Sequence, residues 1–301
     1  MTMVTRWTSF ILLLAASTLA SLSQASPPKL SVHWEELTAS DFREGIHRSQ
    51  GTCLLPFGIL EKHGPHLPLG TDLLDMRYAA LHAAEQEYAV VFPEYYFGQI
   101  AEARHQPGTI AYHADLQLEL LQATTDEMAR NGCRKVMIVN GHGGNTALLQ
   151  YFAQVQLDTN RGYIVYVYGG LGPAANQKMP AAAAPSRPGV DNHAGESEIA
   201  GIMAAAPALA HPERAGEESG ADQKRLAFPP GLSTGIWWYA SYPNHYAGDA
   251  SGATAARGAA LQDVRAEGIA QAIAWVKADT VAPQLQQEFF EKSGKPLETK
   301  Q

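Results

Sequence analysis

The sequence contains few cysteines. Only Cys53 and Cys133 occur among its 301 residues, and each begins an apolar run that is typical of a buried strand. In a parallel sheet the two could lie at the same end and form a disulfide in an oxidising compartment. Two buried, unpaired thiols that act as small apolar residues fit the sequence equally well. Neither cysteine is predicted to be a nucleophile.

The N-terminus lacks an apolar run long enough to form a membrane anchor. The run Phe10–Ala16 is short and is followed by serines and threonines, which excludes a transmembrane helix. Arg6 before it and the small-residue site Ser23-Gln24-Ala25 after it have the order of a secretory signal peptide. We therefore expect residues 1–25 to be a signal peptide. Because no cysteine lies near the cleavage site, a lipid anchor is not expected there. The mature protein is predicted to be exported, periplasmic or secreted.

Charged residues are sparse, at 17%, and the acidic ones are in excess, with a net charge of −8. Removal of Arg6 with the signal peptide would move the charge to −9. An acidic exported protein is a poor match for nucleic acid or for an anionic membrane. The composition, 46% apolar, is that of a globular protein, and we interpret residues 26–301 as a single domain.

The stretch from Pro56 to Asp72 concentrates residues that bind metal ions. Glu61, His63, His66 and Asp72 lie within it, directly after an apolar run. Glu61 and His63 are two positions apart and point the same way on extended backbone, and the prolines that follow exclude a helix. Asp72 opens a segment with the apolar spacing of a helix. Carboxylates and imidazole at one strand end predict a site for Zn²⁺ or Mn²⁺.

Apolar runs and amphipathic segments alternate along the chain. Strands are predicted at 52–56, 89–93, 135–140 and 163–168, and helices at 73–88, 114–131, 145–158, around 199–203 and at 253–277, whereas the tail from Pro283 is expected to be loose. This alternation predicts an α/β fold with a mostly parallel central sheet in a single layer between helices. Ligands bind beyond the carboxyl ends of the strands in such sheets.

Two more clusters of polar residues fall at predicted helix starts. His142 lies in the turn Asn140-Gly141-His142-Gly143-Gly144-Asn145, where Asn145 could cap the helix; a tight turn with an incidental histidine is the alternative interpretation. His193, Glu196 and Glu198 open another helix. His193 and Glu196 are i, i+3 neighbours, and the sequence leaves open which glutamate points inward. Both could also be solvated acids of a first helical turn.

Taken together, these motifs resemble the creatininase (creatinine amidohydrolase) family over about residues 50 to 275. The resemblance rests on Glu61-x-His63 through Asp72, His105-x-Pro107-Gly108-Thr109, the loop around His142, and His193-Ala194-Gly195. It implies a three-layer α/β/α fold, two divalent metal ions, hydrolysis of a cyclic or linear amide C–N bond, and a homohexamer. By the same resemblance Glu61 and His142 would hold one metal, His63 the other, and Asp72 would bridge them.

The chain departs from that family in two places. Gly144 stands where creatininase has a glutamate, so Glu198 is predicted to hold the second metal, with Glu196 as the alternative. Tryptophans are absent around His193, although Trp237 and Trp238 could replace them, so creatinine itself is not expected to be the substrate. His193 is predicted to protonate the leaving nitrogen, and Glu196 is the second candidate catalytic residue.

The predicted function is therefore hydrolysis of a non-peptide amide of a small molecule by a water activated between two metal ions. The ions would be Zn²⁺ or Mn²⁺, with Fe²⁺ as a third candidate. An exported metal- or solute-binding protein of the same fold without turnover is the alternative, which the absent loop glutamate permits. A calcineurin-like phosphoesterase is disfavoured because it would need Asp-x-His where this chain has Glu61-x-His63.

Overall fold

The computed structural model describes residues 29–170 and 179–300. The predicted signal peptide lies outside the described residues. The strands are β1 (Thr52–Phe57), β2 (Val90–Val91), β3 (Lys135–Asn140), β4 (Ile164–Tyr168), β5 (Asp191–His193) and β6 (Ala247–Gly248). The α-helices are α1 (Ala39–Arg48), α2 (Thr71–Gln86), α3 (Ala114–Arg130), α4 (Asn145–Val155), α5 (Glu196–Ala205), α6 (Trp237–Ser241), α7 (Ala255–Ala278) and α8 (Val281–Ser293).

The central sheet has the order β2-β1-β3-β4, and all of its neighbouring strands are parallel. Every residue of β1 is buried, as expected for a parallel strand with helices on both faces. The register pairs Phe57 with Asn140, so β1 and β3 end side by side. The predicted α/β/α fold is confirmed, and the carboxyl ends of β1 and β3 lie together at one end of the sheet.

Helices pack on both faces of this sheet. On one face α2 contacts β1 and α7, and α7 also contacts α5. The contact between α5 and α7 is close, because a Cβ on Gly258 would overlap the carbonyl oxygen of Ala200. Helices α3 and α4 contact β3 and β4 and cover the other face. Strands β5 and β6 form a small antiparallel pair apart from the main sheet.

A disulfide joins Cys53 in β1 to Cys133, two residues before β3. The structure therefore selects the first of the two alternatives that the sequence left open. The bond lies at the amino ends of β1 and β3, at the end of the sheet opposite to the polar motifs.

The C-terminal segment differs from its prediction, because helix α8 occupies Val281–Ser293. The carboxylate of Asp279 accepts hydrogen bonds from the backbone N–H groups of Val281 and Ala282 at 2.8 and 3.1 Å. Gln286 then donates to the carbonyl of Tyr163. These hydrogen bonds satisfy N–H groups of the first turn and attach the helix to the domain. They stabilise a segment whose charge alone suggested a loose tail.

Within 29–170 and 179–300, none of the helices has the length and apolarity needed to cross a membrane.

Candidate metal centre

The loop after β1 brings the first three ligand candidates together. Glu61 and His63 are fully buried, and Asp72 is 4% exposed. The N–H of Glu61 donates to the carbonyl of Leu69 at 3.0 Å, so the loop closes on itself before α2 begins. Gly64 has a φ of +60°, a conformation that favours glycine. The sharp turn there lets Asp72, in the first turn of α2, return to His63.

The loop after β3 adds His142 to this group. Its Nδ1 lies 2.9 Å from Oδ2 of Asp72 and 3.0 Å from Oε1 of Glu61. On the other side, Nε2 of His63 lies 3.1 Å from Oδ1 of Asp72. The two oxygens of Asp72 thus face two different histidines. The structure brings together the four residues that the sequence nominated as principal ligands.

Mutual attraction keeps these groups charged in spite of their burial. Burial opposes ionisation of Glu61, but the charge of His142 and the hydrogen bond from His245 hold its pKa well below the usual value. The pKa of Asp72 is also lowered, since His63 and His142 outweigh the effect of burial. Burial disfavours the imidazolium of His63, yet Asp72, Glu198 and Glu61 raise its pKa to about 10.

The chemistry of this cluster fits a divalent metal. Oε1 of Glu61 and Oδ2 of Asp72 are buried without a hydrogen-bond partner, although both approach Nδ1 of His142. Buried polar atoms normally have partners, so oxygens that converge on a nitrogen without a hydrogen bond suit a shared cation. Three overlapping groups of His and carboxylate side chains could each hold an ion: Glu61, His63 and Asp72; His63, His193 and Glu198; Glu61, His193 and His245.

The last residue of β5, His193, and the first turn of α5, with Glu198, complete this side of the cluster. The ring of His193 packs 4.3 Å from that of His63, and its Nε2 donates to the carbonyl of Lys62 at 2.9 Å. Burial lowers the pKa of His193 to about 3, so the imidazole is neutral at pH 7. Glu198 lies 3.7 Å from Nε2 of His63, and its Oε2 accepts from the N–H of Ala194. Burial raises the pKa of Glu198 to about 7.

The structure does not bring Glu196 to this cluster. Its Oε2 accepts hydrogen bonds from the N–H and hydroxyl of Ser186 at 2.7 and 2.6 Å, and its other oxygen forms an ion pair with Arg257. The side chain is 1% exposed and fixes the start of α5 to the preceding loop and to α7. Its position corrects the expectation that Glu196 faces the site as a ligand or catalytic group, and leaves Glu198 as the carboxylate next to His63.

His245 belongs to the site and was missed by the sequence reasoning. It is 1% exposed, and its Nδ1 accepts a hydrogen bond from the indole N–H of Trp238 at 2.8 Å. Because an indole can only donate, the proton of a neutral His245 resides on Nε2, which contacts Oε2 of Glu61. Trp238 and His245 therefore orient Glu61. The available signal was a histidine within a run of aromatic residues.

Other polar residues hold the ligand loops in shape. His66 contacts the carbonyl of Ala194 through Nε2 at 2.9 Å, and Asn140 exchanges hydrogen bonds with the backbone of His142. The prediction that Asn145 caps α4 is wrong: its Oδ1 accepts from the N–H of Gln99. A Cβ at Gly144 would lie 2.4 Å from Nε2 of His142, so glycine makes room for the histidine ring.

Comparisons with known proteins agree with this architecture. The family model described as creatininase, creatinine amidohydrolase, matches residues 35–273. Creatinine amidohydrolase of Pseudomonas putida is 28% identical over 124 residues, which cover 40% of this chain and 48% of that protein. A mycofactocin precursor peptide peptidase of Mycolicibacterium smegmatis is 36% identical over 110 residues, 35% of this chain and 44% of that protein. The chain thus spans about half the length of the curated relatives it matches.

Solved structures of creatininase share the fold. One crystal structure of creatinine amidohydrolase has a TM-score of 0.68 at 24% identity and covers 84% of this chain and 100% of its own. A manganese form of creatininase has a TM-score of 0.67 at 23% identity and covers 83% of this chain and 100% of its own. Since the family model spans most of the sequence and the same fold is present, the chain belongs to the creatininase family.

Proposed function

We propose that this protein is a metal-dependent hydrolase that cleaves an amide C–N bond with water. The observation that carries the proposal is the position of Asp72, whose Oδ1 faces His63 and whose Oδ2 faces His142. Glu61 lies on the His142 side, and Glu198 lies on the His63 side. Two separate sets of nitrogen and oxygen donors on either side of one carboxylate support a pair of cations bridged by Asp72.

Divalent cations held by these residues would lower the pKa of a coordinated water and polarise an amide carbonyl. The protein's own residues handle the protons. Nε2 of His193 donates to the carbonyl of Lys62, so a neutral imidazole keeps Nδ1 as an acceptor. His193 would therefore accept a hydrogen bond from the attacking water, and because its low pKa makes its protonated form a strong acid, any proton that it takes up would pass on to the leaving nitrogen. The sequence predicted that His193 protonates the leaving nitrogen. Because His193 is neutral at first, it must gain a proton before it can do so.

The metals remain a choice among Zn²⁺, Mn²⁺ and Fe²⁺, all of which accept imidazole and carboxylate ligands. Relatives of the same fold, a manganese creatininase and a zinc–zinc creatininase mutant, favour the first two. The disulfide between Cys53 and Cys133 supports export to an oxidising compartment. Assembly as a hexamer stays a prediction from the family resemblance. The preference for non-peptide amides also stays a prediction, since one relative is named a peptide peptidase.

Metal analysis combined with an amide-cleavage assay tests the proposal. The mature protein should contain Zn²⁺ or Mn²⁺ and should hydrolyse at least one member of a panel of lactams, ureides, formamides and N-acyl amino acids. Asp72→Ala should lose both metal and activity. The matched control Asp263→Ala, which changes an exposed aspartate of α7, should retain both. A protein that binds metal and returns every amide unchanged would instead support the alternative of a binding protein without turnover.

A further inference from the structure

An open cleft of about 930 Å³ lies between the segment after β2 and the segment that leads into α6. One wall comes from the segment after β2 and contains Glu102, Arg104 and His105, and the other comes from the start of α6 and contains Ile236, Trp237 and Tyr239. Its volume is at the upper end of the roughly 300–1,000 Å³ that pockets for drug-sized ligands occupy. The cleft is therefore larger than a small cyclic amide needs.

Each wall of the cleft is linked by contacts to a residue of the candidate metal centre. On the first wall, Oε1 of Glu102 lies 3.2 Å from the point where a Cβ of Gly144 would stand, and Nε2 of His142 lies 2.4 Å from the same point. On the second wall, Trp237 packs against Trp238 with ring centroids 5.3 Å apart, and Trp238 binds His245. A molecule bound in the cleft would therefore have one end on the side of His142 and His245.

The α6 wall is apolar and unusually exposed. Ile236, Trp237 and Tyr239 are 56%, 48% and 38% exposed, although they are neighbours in a single turn. Contiguous apolar surface of this kind marks a place where a ligand or partner binds. Burying an aromatic or large aliphatic group against this wall would be favourable at about 25 cal/mol for each Å² removed from water.

The other wall carries two opposite charges. Glu102 lies at the inner end, where its Oε2 accepts from the side chain of Gln99 at 2.9 Å. Arg104 is exposed and lines the same cleft, and no carboxylate within 29–170 and 179–300 forms an ion pair with it. An anionic group in the cleft would be repelled from the inner end and attracted to Arg104. This polarity directs a carboxylate away from the metal centre.

We propose that the cleft binds the part of the substrate that carries a large apolar group together with a carboxylate. The substrate class is then an N-acyl derivative of an aromatic or large aliphatic amino acid, with its side chain against Trp237 and its carboxylate on Arg104. The amide nitrogen, one carbon from both groups, extends toward the metal centre. The inference rests on the proposed function for the reaction that follows binding. The binding properties of the cleft, in contrast, are inferred from its lining residues alone.

A binding measurement tests the cleft without turnover. Calorimetry with 3-phenylpropanoate, which has the ring and the carboxylate but no amide, should give saturable binding, and propanoate and 3-phenylpropanamide should each bind at least about tenfold more weakly. Trp237→Ala and Arg104→Gln should each weaken 3-phenylpropanoate binding about tenfold. The matched controls Trp275→Ala and Arg43→Gln, which change exposed residues outside the cleft, should bind it like wild type. Circular dichroism verifies the fold of each variant.

Hydrolysis then distinguishes the two hypotheses. If the inference holds, kcat/KM for N-acetylphenylalanine should exceed that for N-acetylglycine at least about tenfold, and Arg104→Gln should raise KM more than it lowers kcat. Equal rates for the two substrates, or 3-phenylpropanoate binding that survives Arg104→Gln and is lost in Asp72→Ala, would overturn the inference while leaving amide hydrolysis intact. Specific binding in the cleft with no hydrolysis of any amide would refute the proposed function and retain the cleft.

Discussion

Loading this protein with a divalent metal should release protons, because His63 must lose one in order to bind a cation. Its Nδ1 lies 3.2 Å from the carbonyl oxygen of Glu61, and its Nε2 lies 3.1 Å from Oδ1 of Asp72. Both partners are acceptors, so both ring nitrogens carry protons, in agreement with a pKa raised to about 10. A metal ligand needs a free lone pair, so the proton on Nε2 must leave, whereas Nδ1 can keep its proton and continue to donate to the carbonyl of Glu61.

The size of the effect follows from the raised pKa values. At pH 7, displacing a proton from a group with a pKa of about 10 costs about 4 kcal/mol. The pKa of His142 is also raised, well above its usual value, by Glu61 and Asp72 against the effect of burial. Two protons should therefore leave, and metal affinity should rise with pH by about tenfold per unit for each of them. The direction is fixed: acid favours the imidazolium and weakens metal binding.

Isothermal titration calorimetry of chelator-stripped protein at pH 7, in two buffers with different ionisation enthalpies, measures the protons released. Competition with a chromophoric chelator at pH 6, 7 and 8 measures the affinity. His63→Ala should release about one proton fewer than wild type, and His47→Ala, a change at an exposed histidine of α1, should release the same number. A heat of binding that does not depend on the buffer, or an affinity that is flat across this pH range, would refute the reasoning.

Three further predictions concern the disulfide, the two glutamates of α5 and His245. Reduction of the Cys53–Cys133 disulfide, or the double replacement by serine, should lower the free energy of unfolding by about 4 kcal/mol, since the bond closes a loop of 80 residues; unchanged urea midpoints would contradict it. Glu198→Gln should lower the metal content measured by mass spectrometry from about two ions toward one per chain, whereas Glu196→Gln should keep the metal and lower the melting temperature. His245→Ala should weaken metal binding roughly 10- to 100-fold, and equal affinity would show that it does not orient Glu61.

Much of the fold could be predicted from local patterns. The continuous apolar run at Lys135–Asn140 predicted a central strand, and the structure gives the same bounds. The helical spacing after Gly70 predicted that Asp72 opens a helix, and it is the second residue of α2. These elements follow from the periodicity of neighbouring residues, because burial on a sheet or helix face depends on positions only a few residues apart. The carboxyl ends of the strands then predicted where the ligands converge.

The features that the sequence did not reveal depend on distant contacts or on unusual backbone. His245 meets Glu61 across 184 residues, and no spacing rule links the two. Glu198 rather than Glu196 faces the site after a bend at Ala194, which has a φ of +54° and donates its N–H to Glu198. Positive φ values are rare for alanine, and a pattern of side chains does not predict them. Helix α8 depended on hydrogen bonds from its first N–H groups to the carboxylate of Asp279, which a count of charges does not detect.

The position of His245 links the cleft to the chemistry. Trp237 forms the cleft wall, Trp238 packs against it and donates to His245, and His245 contacts Glu61. A group bound against Trp237 would therefore lie one ring contact away from the hydrogen bond that fixes the tautomer of His245. Because that tautomer decides whether Nε2 donates to Glu61, a ring contact and two hydrogen bonds connect the cleft to the orientation of a proposed metal ligand. Trp238→Phe, which keeps the ring but removes the N–H, should therefore reduce kcat for cleft-filling substrates more than it changes their binding.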